Sequence, residues 1–574
     1  MSMAAKSVLI WVKAEPFSYG TIPVAPHPRL NSTNIRKIVI YSKNKGSAGF
    51  PRLSYSMWQH IACNKLHLSE DLAWMYFQTC LFFTENPSSI ECIEKNERFA
   101  LCKDQHEKSK LAARESVNLY KFVMFLSMQQ LYRMSLRTSL VAGDEYPFYL
   151  RWPSTSSSAT TCDLDGRSTP RGGTTKSLDD HSHHLFIQNN IGELTDLISD
   201  EAVGGTSSPK HLSLDAVEAL GFVLIGRTEN SPSLMQLHDL ACLQTVQQLS
   251  GYQKATKTFP TRQFTMWLKE CLVQNPFNVS ACIASGTRLS WPFIGEDQKS
   301  DQSHKRGKIA TNAPSVPKEY VKGNKMIIMS QVSKQTIARS SGTLEMSTVK
   351  IHRSHHSFLY LLSPLRSVTI EKCRNTTLIL GPVEATVHVS GCENVTVIAP
   401  CRSFMISGST LCTLYLLTPH RPMLLSGNDT IMLAPYHTFY PTLEEHMLKA
   451  GIGTVPNLWD QPLCIGPDHR DEQPVWQILP ESEFYPFSVP FEMQGSTKVI
   501  PGSLPTYYQK ELNKRQKQID TWQHMVKEAG LSREQRKEFQ TLVESRFHIW
   551  LSETGHKREL DSLVVPLQPA LDKK

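Results

Sequence analysis

Ala385-Thr-Val-His-Val-Ser-Gly-Cys-Glu-Asn-Val-Thr-Val-Ile-Ala-Pro400 reads as two short β-strands with a glycine corner between them. Val387 and Val389 alternate with Thr386, His388 and Ser390, and Val395 and Val397 alternate with Thr396, the period-two pattern of a pleated strand. Working outward, the same pattern returns across residues 368–436. β-rich runs at Thr377–Leu380, Val395–Ile398, Leu414–Leu417 and Ile431–Leu433 are each followed by a proline: Pro382, Pro400, Pro419 and Pro435. Cys373 and Asn375 recur 19 residues later as Cys392 and Asn394. A period near 18 suits three short strands and three bends, so this segment is expected to be a β-helix whose stacked coils bury their inward side chains. A leucine-rich repeat needs a longer period and an L-x-x-L-x-L frame, which is absent. The helices flanking the repeat are expected to cap its ends.

The rest of the 574-residue chain is too long for one core. Residues 1–150 read as mainly helical, with apolar stripes over Trp58–Phe83 and Ala112–Leu136. A Ser/Thr-rich linker is expected over 154–184, ending in a solvated tract with His181, His183 and His184. Residues 185–295 form a second helical region and 297–317 a charged linker. The β-helix occupies 322–450, an extended packing segment 451–505, and helices 506–574. The fold class is therefore multidomain, with helical N-terminal regions, a central parallel β-helix and a helical C-terminal segment. In the last segment Leu512, Ile519, Trp522, Val526 and Ala529 share one face, and Ser532-Arg-Glu-Gln535 reads as a capping box. An intramolecular hairpin packed on the body is the preferred reading of these helices, and a partner-binding face the alternative.

Composition excludes several classes. The net charge of +8 is mild for this length, and there is no basic stripe interleaved with aromatics, so nucleic acid is not an expected partner. Thirteen cysteines without a C-x-x-C pair read as reduced thiols in the cytosol or nucleus, and Cys373, Cys392 and Cys412 are expected to stack as a ladder of small buried residues. No lipidation box or membrane-span-length apolar run is present, so no membrane anchor is expected. His352, His355 and His356 lack further ligands and read as surface histidines. There is no P-loop, nucleophile elbow or zinc frame, and Gly221-Phe-Val-Leu-Ile-Gly226 lacks the Lys-Ser or Lys-Thr that would hold a phosphate. No cofactor or metal is expected.

Residues 322–450 resemble the cofactor-C-like domain shared by tubulin-binding cofactor C, the X-linked retinitis pigmentosa protein and cyclase-associated proteins. The resemblance rests on Val395-Thr-Val-Ile-Ala-Pro-Cys-Arg-Ser-Phe404, Leu414-Tyr-Leu-Leu-Thr-Pro-His-Arg-Pro422, Leu433-Ala-Pro-Tyr436 with Phe439-Tyr-Pro441, and Asn457-Leu-Trp-Asp460. It implies a right-handed β-helix and a cytoplasmic, cytoskeletal protein of the centrosome, spindle pole or basal body. The implied role is positioning of organelles such as the centrosome and Golgi, and thereby cell shape and migration. Implied partners are tubulin, centrosomal proteins or a small GTPase. GTPase-activating members of the family carry an arginine in a Gln-x-Arg motif, an arginine finger worth about 10³–10⁵ in rate. In the matching stretch Arg402 and Ser403 stand where the family has Gln-Gln, and Met405 stands at the finger position. A thioether cannot stabilise phosphoryl-transfer charge, so a non-enzymatic scaffold is expected. Activation by a displaced Arg402 or Arg421 is the alternative. On strand parity Arg402, three residues from Met405, is expected on the opposite face, and both arginines are read as surface residues for an acidic partner.

Overall fold

The structure is a computed structural model that describes residues 8–24, 26–45, 50–102, 104–131, 178–200, 210–289, 308–317, 323–339, 342–466, 474–490 and 493–554. The chain divides into two compact units, one N-terminal and largely helical, the other carrying the β-helix and the C-terminal helices.

In the first unit, strand Val8–Val12 pairs antiparallel with Leu224–Thr228. Its core is aromatic: Trp58 donates from Nε1 to the Ala73 carbonyl at 2.8 Å and meets Phe122 edge-on at 4.8 Å. The apolar stretch over Trp58–Phe83 is two helices, Tyr55–Asn64 and Glu70–Glu85. Ser69 is the reason: its side chain accepts from the Leu72 N–H and starts a new helix after His67, which has φ 54°. The Ala112–Leu136 stretch likewise splits. Strand Ser116–Asn118 intervenes, and Asn118 caps helix Leu119–Met128 through the Lys121 N–H. Residues 132–136 lie outside the described residues, as does most of the 154–184 linker. The end of that linker is not solvated chain. Helix Leu178–Leu197 includes it, and His183 is buried with its ring stacked on Phe17 at 4.7 Å. Part of the expected 297–317 linker is also ordered, as strand Lys308–Thr311 and a turn of 3-10 helix at Ala313–Ser315.

The second unit is built on a parallel β-helix of about six turns over residues 326–435. One sheet stacks Thr336–Arg339, Phe358–Leu361, Arg374–Leu380, the first part of Glu393–Ser407, Thr413–Leu417 and Ile431–Pro435. The other stacks Thr348–His352, Ser367–Glu371, Val383–Ser390, the second part of Glu393–Ser407 and Met423–Leu424. The third side is reduced to single parallel bridges, Ser333 to His355 to Arg374 and Glu393 to Thr410 to Asp429. Short segments of 451–505 extend both sheets: Leu463–Cys464 pairs with Met423–Leu424, and Trp476–Ile478 with Ile431–Leu433.

The coil length follows from the register. Leu359, Leu378, Val397, Leu414 and Leu433 are successive partners, so the steps are 19, 19, 17 and 19. The prolines gave a less regular series because they do not share one coil position: Pro400 pairs with Leu417 and Pro435 with Leu416, while Pro419 lies beyond its strand. The short coil also breaks the expected cysteine ladder. Ser409, not Cys412, follows Cys373 and Cys392, and its Oγ accepts from the Cys392 N–H at 3.1 Å. Cys412 sits three residues further on, buried as a free thiol.

The corners explain the recurring polar residues. Arg353, Lys372, Gly391, Gly408 and Gly427 all have positive φ, as do His356, Asn375, Asn394, Leu411 and Thr430. Each coil thus turns through two left-handed residues, and glycine or asparagine supplies them at the lowest steric cost where the sequence allows. Gly381 has a different duty. A Cβ there would stand 2.2 Å from the Ser363 carbonyl oxygen, so the adjacent coil leaves no room for a side chain.

Inside, Val395, Val397, Phe404, Ile406, Leu414 and Leu433 belong to one continuous core. Outside the first sheet, Tyr360, Ile379, Ile398 and Leu417 form a second apolar layer under helix Leu443–Ala450, through Leu443 and Met447. That helix therefore covers a sheet face rather than an end. The C-terminal end of the core takes in Trp459, Leu479, Phe484 and Tyr508, whose hydroxyl donates to the Leu479 carbonyl at 2.5 Å. Tyr508 belongs to helix Thr506–Glu528, which is followed by helix Arg533–Thr554. The capping box is present between them: Ser532 N–H donates to Gln535 Oε1 at 3.0 Å, and Gln535 N–H to Ser532 Oγ at 3.3 Å.

Candidate functional site

The stretch that carries Arg402 and Met405 is one strand of 15 residues, Glu393–Ser407, which turns a corner and serves both sheets. Its inward residues show where it turns. Val395, Val397, Ala399 and Cys401 alternate into the core, and then Phe404 and Ile406 do. Arg402 and Ser403 are the two residues at the change of phase. The register against Val383–Ser390 shifts at the same place. Parity counted along a straight strand therefore fails here: Arg402 and Met405 both lie off the inward core, although three positions separate them.

Neither is a surface residue. Met405 is 2% exposed, in a column where Thr369, His388, Met405 and Met423 are successive partners. Arg402 is 5% exposed. Its Nε donates to the Glu384 carbonyl at 2.8 Å and an Nη to the Gly451 carbonyl at 3.2 Å, tying the corner to the end of helix Leu443–Ala450. The Arg402 carbonyl in turn accepts from Thr418 Oγ1 at 3.1 Å.

Arg402 belongs to a ladder that the sequence reading missed. Arg366, Glu384 and Arg402 recur at steps of 18, alternate in charge, and are all buried. The Arg366 guanidinium and Glu384 carboxylate are 2.9 Å apart. The spacing equals the coil period closely enough that a search for charges at i, i+18 and i+36 finds it. Arg421 is half-buried, with Nε donating to the Gln461 carbonyl at 2.9 Å and an Nη to the Pro462 carbonyl at 3.1 Å. The structure thus does not gather Met405, Arg402 and Arg421 into a pocket with a free guanidinium. Cys401, beside them, has its thiol pKa pushed well up by burial and is not poised as a nucleophile. Among the described residues no group of His, Cys, Asp and Glu has the arrangement of a metal site, and no helix is long and apolar enough to cross a membrane.

Of the three histidines before this region, His355 and His356 lie on the narrow third side, while His352 ends strand Thr348–His352 of the second sheet. His352 is half-buried, and burial, then the charges of Arg353 and Lys372, hold its pKa down to about 4. Glu371, its partner on the neighbouring strand, is the nearby acid. The unfolded chain protonates His352 near pH 6.5 and the folded chain only near 4. The contribution to stability is therefore complete above pH 6.5 and is lost as pH falls from 6.5 to about 4. A His352→Asn variant is expected to flatten this part of the pH–stability curve by on the order of 1 kcal/mol, after allowance for solvent screening. Urea midpoints at pH 7 and pH 4.5 check this.

A parallel β-helix of the cofactor C type defines the class. The family description Tubulin binding cofactor C matches residues 346–463. Over nearly the whole chain there are closer relatives. TBCC domain-containing protein 1 of Homo sapiens is 43% identical over 570 residues, covering 98% of each chain. The Gallus gallus protein of that description is 42% identical over 567 residues, again 98% of each, and the Danio rerio protein 41% over 564 residues, 97% of this chain and 94% of its own. The chain belongs to the TBCC domain-containing protein 1 family.

Proposed function

We propose that this protein is a non-catalytic binding scaffold of the cofactor C type, acting on tubulin-based structures at the centrosome or spindle pole. In this reading it serves organelle positioning, and through it cell shape and migration. The observation that carries the non-catalytic part is the rung at 405. Its side chain is a thioether that can neither donate a hydrogen bond nor carry charge, and it is buried. The neighbouring arginines are engaged with main-chain carbonyls. The cytoskeletal part rests on the family: its description names tubulin binding. Arg421, the more accessible of the two arginines, remains the candidate contact for an acidic partner.

The test is single-turnover GTP hydrolysis by tubulin, and separately by Arf-like GTPases, with and without the full-length protein. The expected rates differ by less than about twofold. Acceleration of roughly 100-fold or more, approaching the arginine-finger range and abolished by Arg402→Ala or Arg421→Ala, would overturn the proposal in favour of a displaced finger.

A further inference from the structure

The C-terminal helices pack on the body only in part, where the preferred reading had the whole hairpin packed there. Helix Thr506–Glu528 carries one continuous stripe, Tyr508, Leu512, Arg515, Ile519, Trp522 and Val526, spaced alternately by four and three. Its first half is seated. Tyr508 is fully buried, Leu512 packs against the β-helix core, and Arg515 donates to the Glu481 and Ser482 carbonyls at 2.8 Å. The second half leaves that seat: Ile519 and Trp522 are each 48% exposed. Helix Arg533–Thr554 does not cover them. The two helices touch near their connection, where the Trp522 and Phe539 rings lie 6.2 Å apart, and beyond it Leu542 and Phe547 are 57% and 47% exposed.

We propose that this two-helix hairpin is a homodimerisation element, and that its occupant is the hairpin of a second copy of this chain. Two observations favour a second copy. The first is area. Eight large apolar side chains on the two helices, each about half exposed, leave roughly 600–1,000 Å² uncovered per copy, from side-chain areas of ~150–250 Å². That area matches the ~800 Å² per partner of a stable interface. The second is charge. The positions that flank an interhelical seam hold Gln509, Gln516 and Gln523 on one side, and Gln518 and Met525 on the other above Glu511. Lys510, Lys514 and Lys517 lie on the opposite face of the same helix. Beyond Glu511 and Arg515, which belong to the seated half, this helix's seam has uncharged flanks and meets its own copy without like-charge repulsion, and two such hairpins close as a four-helix arrangement.

The experiment is light scattering behind size exclusion on the full-length protein from about 1 to about 50 µM. The expected result is a dimer, with self-association weakened roughly 100-fold or more by the pair Ile519→Glu and Phe547→Glu. Leu411→Glu, an equally exposed apolar residue on a β-helix corner, is expected to leave the dimer intact. Circular dichroism of each variant, expected unchanged, separates lost association from lost folding. A chain that is monomeric throughout the range overturns the proposal, as does a dimer indifferent to Ile519→Glu and Phe547→Glu. A monomeric chain that captures a different protein through the same residues also overturns it, and reassigns the stripe to that partner.

Discussion

Replacing Glu384 by Ala is expected to destabilise the β-helix by about 3–5 kcal/mol, the range for breaking a buried ion pair by removing one partner. Glu384 stands between Arg366 and Arg402 in the 18-residue ladder, and all three are at most 5% exposed. Its carboxylate lies 2.9 Å from the Arg366 guanidinium. Without it, two cations remain one level above and one level below an emptied position, at a corner that water reaches poorly. The Arg402 bond to the Glu384 carbonyl is a main-chain contact and survives the substitution. The loss therefore reports the Glu384 side chain and not this main-chain bond. Urea unfolding at pH 7 is the measurement. A second variant separates the charge from the packing: Arg366→Met with Glu384→Leu removes both charges and keeps the volume, and is expected to cost under about 1.5 kcal/mol or to stabilise. If Glu384→Ala costs less than about 1 kcal/mol, the ladder behaves as a solvent-screened pair and the corner is wetter than its burial implies.

Much of the β-helix was legible because its rule is local and repeated. An inward Val, Leu or Ile at alternate positions, followed by small or polar corner residues, recurs in Leu359, Leu378, Val397, Leu414 and Leu433. What the pattern did not give was phase. The shorter coil put Ser409, not Cys412, in the column of Cys373 and Cys392, and one extra residue at the corner after Cys401 turned Arg402 and Met405 away from the core together. Strand parity counts residues along a straight chain, and a strand serving two sheets is not straight. Burial at the site was illegible for a related reason. An arginine reads as surface until its carbonyl partners are known, and those of Arg402 lie 18 and 49 residues away. The helix stripes showed the opposite failure. Ser69 and Asn118 are N-caps that interrupt apolar runs, and such cap residues outrank periodicity in deciding where a new helix starts. The C-terminal stripe was read correctly as apolar. No property of one helix tells whether its face is covered by its own chain.

Phe404→Ala is the complementary experiment at the same corner, with an expected loss of about 3–5 kcal/mol. Phe404 is fully buried, and it is the first residue to face inward after the change of phase. Val387 and Val389 of the preceding coil pack in the same core, and neither can reach into the space its ring fills because β-branched side chains are stiff. The cavity is therefore expected to persist rather than collapse, which places the loss toward the upper end of the range. The ring also holds the strand in the phase that sets Met405 and Arg402 where they are. Phe404→Leu, which keeps an inward apolar anchor, is expected to lose about 1–2 kcal/mol and to preserve that phase. The phase can be read separately from stability, by the reactivity of cysteine introduced in place of Met405 toward a maleimide. In the Phe404→Leu background that cysteine is expected to stay as slow to react as in the parent. In the Phe404→Ala background it is expected to react faster, because the corner no longer has an anchor to register against. Equal protection in both backgrounds, with a stability loss near 1 kcal/mol for Phe404→Ala, would mean that the corner is held by Arg402 and its carbonyl bonds and not by the core.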